Sequence, residues 1–202
     1  MRQIGTSIAK VFDVVVGSTG LPAKRLKQLG IKYQSSTTTS MSHAEYYPGA
    51  FFITTKLTFN PEDGTLYGAQ CVGHEGVDKR IDQLAIIIKH RGTIYDLIRL
   101  EQAYAPPFSS AKDPIAIAGY TAANIISGKM PVIYWRDIDG LDRSKVQIID
   151  TRTPSEFSLG TISGAVNIPV DDIRERMSEI DKSKPVVTFC AVGLRGYIAA
   201  RI

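Results

Sequence analysis

Cysteine is scarce. Cys71 and Cys190 are the only two, far apart and in different surroundings, so no disulfide framework can be built and each thiol is left to be reactive or buried. Long apolar runs are missing too. Nothing is long enough to span a bilayer, and the first residues lack the charged, apolar and small-residue regions of a signal peptide, so a cytoplasmic protein with no membrane partner is expected. Charge of one sign is not concentrated anywhere. The net charge of +4 comes from basic residues scattered among acidic ones, which helps to attract an anionic substrate but makes no case for nucleic acid. A Gly-rich dinucleotide fingerprint is absent as well. Gly17-Ser18-Thr19-Gly20 has neither the spacing nor the βαβ setting that cradles a pyrophosphate, so these residues are not expected to bind nicotinamide nucleotide alone. His43 stands without a cysteine or carboxylate constellation. Neither a metal ligand nor a catalytic base is assigned to it, and no metal is expected.

What is present is an ordinary globular composition, 44% hydrophobic and 22% charged, enough for one or two cores and incompatible with disorder. The pattern changes near residue 130. Before it, an apolar strand is predicted over residues 12–16 and a helix over 21–29, stopped by Gly30. Residues 51–59 and 65–72 are rich in β-branched and aromatic types and flank the turn former Asn60-Pro61-Glu62-Asp63-Gly64, which predicts a hairpin in an antiparallel sheet. Val77, Ile81, Leu84, Ala85 and Ile88 fall at helical spacing and should be largely buried. Leu84-Ala85-Ile86-Ile87-Ile88 is more apolar than one helix face needs, which points to a second copy of the chain as partner. Thr93 with Asp96 starts another helix, Pro106-Pro107 ends it, and residues 113–126 form a third. Residues 127–133 read as a linker. Beyond them, short buried strands over 146–149 and 186–189 alternate with helical character over 170–180, the mark of an open α/β sheet with its ligand site at the strand ends.

Cys190-Ala191-Val192-Gly193-Leu194-Arg195-Gly196 directly follows the last of those strands and precedes a helix starting near Gly196. Such a loop turns backbone N–H groups towards the sulfur. Those donors and the helix dipole stabilise a thiolate or its sulfur adduct, Gly193 permits the sharp turn, and Arg195 adds fixed positive charge at the rim. A lone cysteine ending a strand is otherwise simply a small core residue. Upstream, Asp150-Thr151-Arg152, Glu156-Phe157 and Gly164-Ala165-Val166-Asn167-Ile168-Pro169 together resemble, in order and spacing, the rhodanese family. The resemblance covers roughly residues 131–202 and implies a cysteine, here Cys190, that accepts a sulfane sulfur as a persulfide and passes it on. It also implies a structural Asp150–Arg152 salt bridge, and a further strand and helix beyond Ile202. Thr161 stands where many members have histidine. The short loop between Cys190 and Arg195 suits sulfur rather than phosphate, for which related phosphatases use a longer one.

In the first half, His43-Ala44-Glu45-Tyr46-Tyr47-Pro48-Gly49 and the stretch from Ala103-Tyr104-Ala105-Pro106-Pro107 to Lys112-Asp113-Pro114 stand out. Tyrosines in such runs are commonly half-buried packing residues. Together with Gly5-Thr6-Ser7-Ile8-Ala9-Lys10-Val11-Phe12-Asp13 and Gly76-Val77-Asp78-Lys79-Arg80-Ile81-Asp82, however, the two motifs resemble the dimerisation domain of the pyridine nucleotide-disulfide oxidoreductases, closest to coenzyme A-disulfide reductases and persulfide reductases with a fused rhodanese domain. The resemblance implies an α+β dimerisation domain over residues 1–126 and an incomplete α/β rhodanese-like domain over 134–202. The whole would be the C-terminal part of a homodimeric enzyme that carries FAD and uses NAD(P)H on small thiol, disulfide or persulfide substrates. It also implies that Tyr46 and Tyr104, with Tyr47 as the neighbouring alternative, reach into the partner's flavin site. Lys79 and Arg80 either meet coenzyme A phosphates or are solvated helix charges. Cys71, within a sheet-like run, reads as a core residue. Two other functions stay open: a free-standing thiosulfate or polysulfide sulfurtransferase, and a dimerisation module with no activity of its own.

Overall fold

The computed structural model describes residues 4–202, which divide into two units meeting at Lys129 and Met130. An antiparallel five-stranded sheet carries the first. Its strands are β1 (Ser7–Val11), β2 (Val14–Gly20), β3 (Gln34–Met41), β4 (Phe52–Phe59) and β5 (Leu66–Gly73), in the order β1-β2-β5-β4-β3. The hairpin read from residues 51–72 is present as β4 and β5, with a register shift at Thr58/Phe59. Four helices complete the unit: α1 (Ala23–Gln28), α2 (Val77–Lys89), α3 (Ile94–Arg99) and α4 (Pro114–Ile126). One face of the sheet, through Ile53, Leu57, Ala69 and Cys71, meets Val77, Ile81 and Leu84 of α2 and Ile115, Ala118 and Ala122 of α4 in a single apolar core. Helix starts follow the sequence signals closely, but α3 ends at Arg99, ahead of the Pro106-Pro107 pair expected to end it. Thr93 and Asp96 form the expected capping box on α3, and Asp113 caps α4 with Pro114 behind it, each satisfying backbone donors that a helix start leaves open.

One expected strand needs correction here, and another strand went unread. Residues 12–16 are not one strand: Phe12 turns the chain at φ 53° between β1 and β2, so an apolar residue 92% exposed sits at a hairpin tip, and of these residues only Val14, Val15 and Val16 pair. Strand β3 gave no apolar signal, because its run of serine and threonine forms a sheet edge paired with β4 alone. Helix α2 buries Leu84 and Ile88 but leaves Ile86 61% exposed. That is the surplus apolar surface read from the sequence.

The second unit is a parallel three-stranded sheet, β7-β6-β8, from β6 (Gln147–Asp150), β7 (Val166–Asn167) and β8 (Val186–Phe189), with α5 (Pro154–Ser158) and α6 (Leu194–Arg201). The helix predicted over 170–180 is replaced by successive turns and a short 3-10 segment, Met177–Glu179. Val170, Ile173 and Ile180 still reach the core beside Ile149 and Ile168. Three widely spaced apolar anchors satisfy that core without a continuous helical stripe.

Gly68 of β5 is fixed by space rather than by backbone angle, since a Cβ there would collide with the Leu21 backbone. Gly68→Ala is therefore expected to destabilise the first unit by about 1–3 kcal/mol, read as a lower urea midpoint at unchanged slope; an unchanged midpoint would mean that the Leu21 segment yields freely.

Candidate functional site

Two loops of the first unit converge. One, between β3 and β4, carries Tyr46; the other, between α3 and α4, carries Tyr104. The Ala44 N–H bridges them by donating to the carbonyls of Pro106 (3.3 Å) and Ser109 (3.1 Å). The neighbouring Tyr104 hydroxyl, more than burial, raises the Tyr46 phenol above the usual tyrosine range. Both rings remain open, Tyr46 at 79% and Tyr104 at 53% exposure. A cavity of about 160 Å³ opens beside Tyr104, lined also by Leu100, Lys112 and Tyr120. Tyr47 turns away and meets His43 edge-on, ring centroids 5.9 Å apart. His43 itself is buried, Nδ1 at 3.1 Å from Ser42 Oγ and Nε2 at 3.2 Å from the Pro48 carbonyl. A carbonyl can only accept, so Nε2 donates and the ring shapes the loop.

Beneath the tyrosines lies a buried ion pair that the sequence reading did not anticipate. Arg80 is neither a solvated helix charge nor open to a coenzyme A phosphate: it is 1% exposed. Its Nη2 donates to Asp113 Oδ2 (2.7 Å) and to the Ser42 carbonyl (2.7 Å), Nε to Asp113 Oδ1 (3.3 Å), and Nη1 to the Gly76 carbonyl (3.1 Å). Those bonds correct the assignment of Arg80 as a ligand residue. Lys79, named with it, is half-buried on the same helix. Burial acts to raise the Asp113 carboxyl, but the bonds and charge of Arg80, the Ile115 N–H and the Ser109 hydroxyl outweigh it and hold the group below the usual carboxylate range. The signal for Arg80 was present in the sequence, since it lies on the same helical face as Val77, Leu84 and Ile88.

In the second unit Cys190 directly follows β8 at partial exposure, and the Gly193 N–H donates to its sulfur at 3.1 Å. Gly193 has φ 96°, a left-handed turn that costs glycine nothing. Gly196 lets α6 start close against β8, where an added Cβ would lie 3.1 Å from Phe189 Cα. Ala191, Val192 and Leu194 complete the loop and are all exposed. Arg195 also interacts with the Cys190 sulfur, while both its terminal nitrogens grip Glu156, each at 2.7 Å. Glu156 is in turn the third residue of the Thr153 capping box on α5. The Thr153-to-Glu156 spacing was legible as a helix start, but its engagement of Arg195 across the fold was not. The Asp150–Arg152 bridge expected at the end of β6 is formed at 2.6 Å, and Thr161 adds a 2.8 Å bond to the same carboxylate.

Residues 6–116, more than half of the chain, match the model of the pyridine nucleotide-disulphide oxidoreductase dimerisation domain. The chain belongs to the pyridine nucleotide-disulphide oxidoreductase family. Residues 138–202 match the rhodanese-like domain. Among solved structures, the reduced CoADR-RHD of Bacillus anthracis superposes with a TM-score of 0.95 at 46% identity, over 98% of this chain and 36% of that one. The NAD-dependent persulfide reductase of A. fulgidus gives 0.85 at 35%, with the same coverage. Among curated relatives, the coenzyme A disulfide reductase of Staphylococcus aureus (strain bovine RF122 / ET3-1) is 38% identical over 119 residues, 59% of this chain and 27% of that protein. The chain thus spans about a quarter of the length of the curated relatives it matches.

The family uses FAD and NAD(P)H, yet the Gly17–Gly20 segment does not form a dinucleotide cradle. Gly17–Gly20 end β2, and the strand after α1 is β3, at the far edge of an antiparallel sheet, not the neighbouring parallel strand of a βαβ cradle. Cys71 is fully buried next to Thr55, and burial pushes its thiol up to about 11, so it stays protonated at neutral pH.

Glu156 offers a direct test of the cysteine loop. Its bonds with Arg195, then those with Thr153, lower its carboxyl from 4.5 to about 2. A folded-state pKa below the unfolded one means that the pair's contribution is complete above pH 4.5 and is lost as pH falls through about 2. A carboxyl ¹³C titration is expected to find that low midpoint and to see it climb towards the ordinary value in Arg195→Ala; a midpoint that stays low would assign the effect to Thr153.

Proposed function

We propose that this chain is the dimerisation and sulfur-carrying portion of an FAD- and NAD(P)H-dependent reductase of coenzyme A disulfide, persulfide or polysulfide. The observation that carries the reading is the convergence of the two loops bearing the exposed Tyr46 and Tyr104, joined through the Ala44 N–H, on a dimerisation domain, in a chain that also holds a rhodanese-like cysteine loop. Flavin, held elsewhere in the complete enzyme, supplies reducing equivalents from NAD(P)H.

The residues described here handle protons and sulfur. Tyr104 lines the cavity, so its hydroxyl proton is the one presented to a substrate, with Tyr46 on the converging loop as its neighbouring donor. When an S–S bond breaks, that proton goes to the departing thiolate, and the Tyr46 donor stabilises the phenolate left behind. At the other site, the Cys190 thiolate attacks a sulfane sulfur, the donor's S–S bond breaks, its remaining part leaves as an anion, and Cys190 keeps the sulfur as a persulfide. The Gly193 N–H and Arg195 face that negative charge.

In the intact flavoenzyme, Tyr104→Phe is expected to slow the thiol-linked half-reaction by about 10²-fold with flavin content unchanged, and Tyr46→Phe to slow it less, because it removes only the supporting donor. Stopped-flow absorbance measures both. Unchanged rates in both variants would make the tyrosines packing residues and remove the support for the reductase reading.

A further inference from the structure

The proton and sulfur steps above make no use of the buried Arg80–Asp113 pair. Filling a core with an ion pair is costly, because desolvating two charges takes back much of what their attraction gives, and apolar residues of equal volume serve packing at least as well. What an ion pair adds is direction, and here the direction is towards the loops. Arg80 Nη2 holds the Ser42 carbonyl at 2.7 Å, just ahead of the turn bearing Tyr46. Asp113 Oδ2 takes the Ser109 hydroxyl at 2.7 Å, in the segment bearing Tyr104. The Ser109 carbonyl takes the Ala44 N–H at 3.1 Å and closes the circuit. Gly76 completes the seat: its carbonyl accepts from Arg80 Nη1, and a side chain at this position would overlap that nitrogen.

We propose that Arg80 and Asp113 are the positioning residues of the tyrosine site, holding the two separate loops that carry Tyr46 and Tyr104 in one arrangement. The catalytic consequence rests on the reading of those tyrosines as proton donors to a leaving thiolate; the positioning itself does not.

Arg80→Lys keeps the charge and gives up the planar fork, while Asp113→Asn keeps the shape and gives up the charge. In this chain, a ¹³Cζ NMR titration of Tyr46, assigned by its loss in Tyr46→Phe, is expected to fall back to the ordinary tyrosine range in either variant, as it does in Tyr104→Phe. In the intact flavoenzyme the thiol-linked half-reaction is expected to slow by about 10- to 100-fold. The same substitution should add little in a Tyr104→Phe background, since both disturb one unit. A folded Arg80→Lys protein in which Tyr46 titrates as before overturns the proposal, and so does a fully additive loss of rate. If Tyr104→Phe leaves the rate unchanged while Arg80→Lys still relaxes Tyr46, the positioning stands and the proton-donor reading falls. Should both ion-pair variants unfold, Ser109→Ala decides. It removes one tether and leaves the pair, so a relaxed Tyr46 supports the proposal and an unaltered titration overturns it.

Discussion

The bond between the Arg80 guanidinium and the Asp113 carboxylate, 2.7 Å long and almost wholly out of water, is the constraint on which the first unit turns. It fastens helix α2 to the start of helix α4, where Asp113 also caps the first turn. Through Ser42 and Ser109 it reaches both loops that carry the tyrosine pair. Charges buried at this depth are tolerated only when their remaining donors and lone pairs are occupied. Here the loop backbone and the Ser109 hydroxyl occupy them, so the stability of the pair and the shape of the site are one requirement. Removing either partner would strand a charge in the core and release the loops together.

The second unit uses the same device nearer the surface. Glu156 grips Arg195 with two short bonds, which fixes the direction of the guanidinium while leaving it in range of Cys190. Asp150 and Arg152 do likewise at the end of β6, with Thr161 occupying another lone pair of the carboxylate. In both units a carboxylate sets the orientation of an arginine. The groups proposed to meet sulfur, Tyr46 and Tyr104 in one unit and Cys190 beside the Gly193 N–H in the other, lie on or next to segments that these bonds anchor. That arrangement suits sulfur chemistry, where the changing charge sits on a large, polarisable atom and the protein must supply fixed donors.

Much of this was legible from residues alone. The hairpin around Asn60–Gly64, the capping box of Thr93 and Asp96, strand β8 and the cysteine loop all have local causes, and each formed where those causes placed it. Strand β3 was not legible, because an edge strand of serine and threonine has no hydrophobic alternation to reveal it. The helix expected over 170–180 failed for the opposite reason: charges and spaced apolar residues imitate an amphipathic pattern that turns can also satisfy. Arg80 shows the deeper limit. Its place on the buried face of α2 is readable from spacing, but its partner lies on another helix, and sequence order carries no sign of which carboxylate will meet it.

The central claim is that sulfur chemistry is shared between the phenol pair and Cys190, with Cys71 a core residue. Its most direct test is to find where sulfur resides. The intact protein would be exposed to polysulfide, trapped by alkylation and mapped by peptide mass. The account predicts a persulfide on Cys190 and an unmodified Cys71, buried and protonated as it is. A persulfide mainly on Cys71, or on neither cysteine while turnover continues, would contradict it.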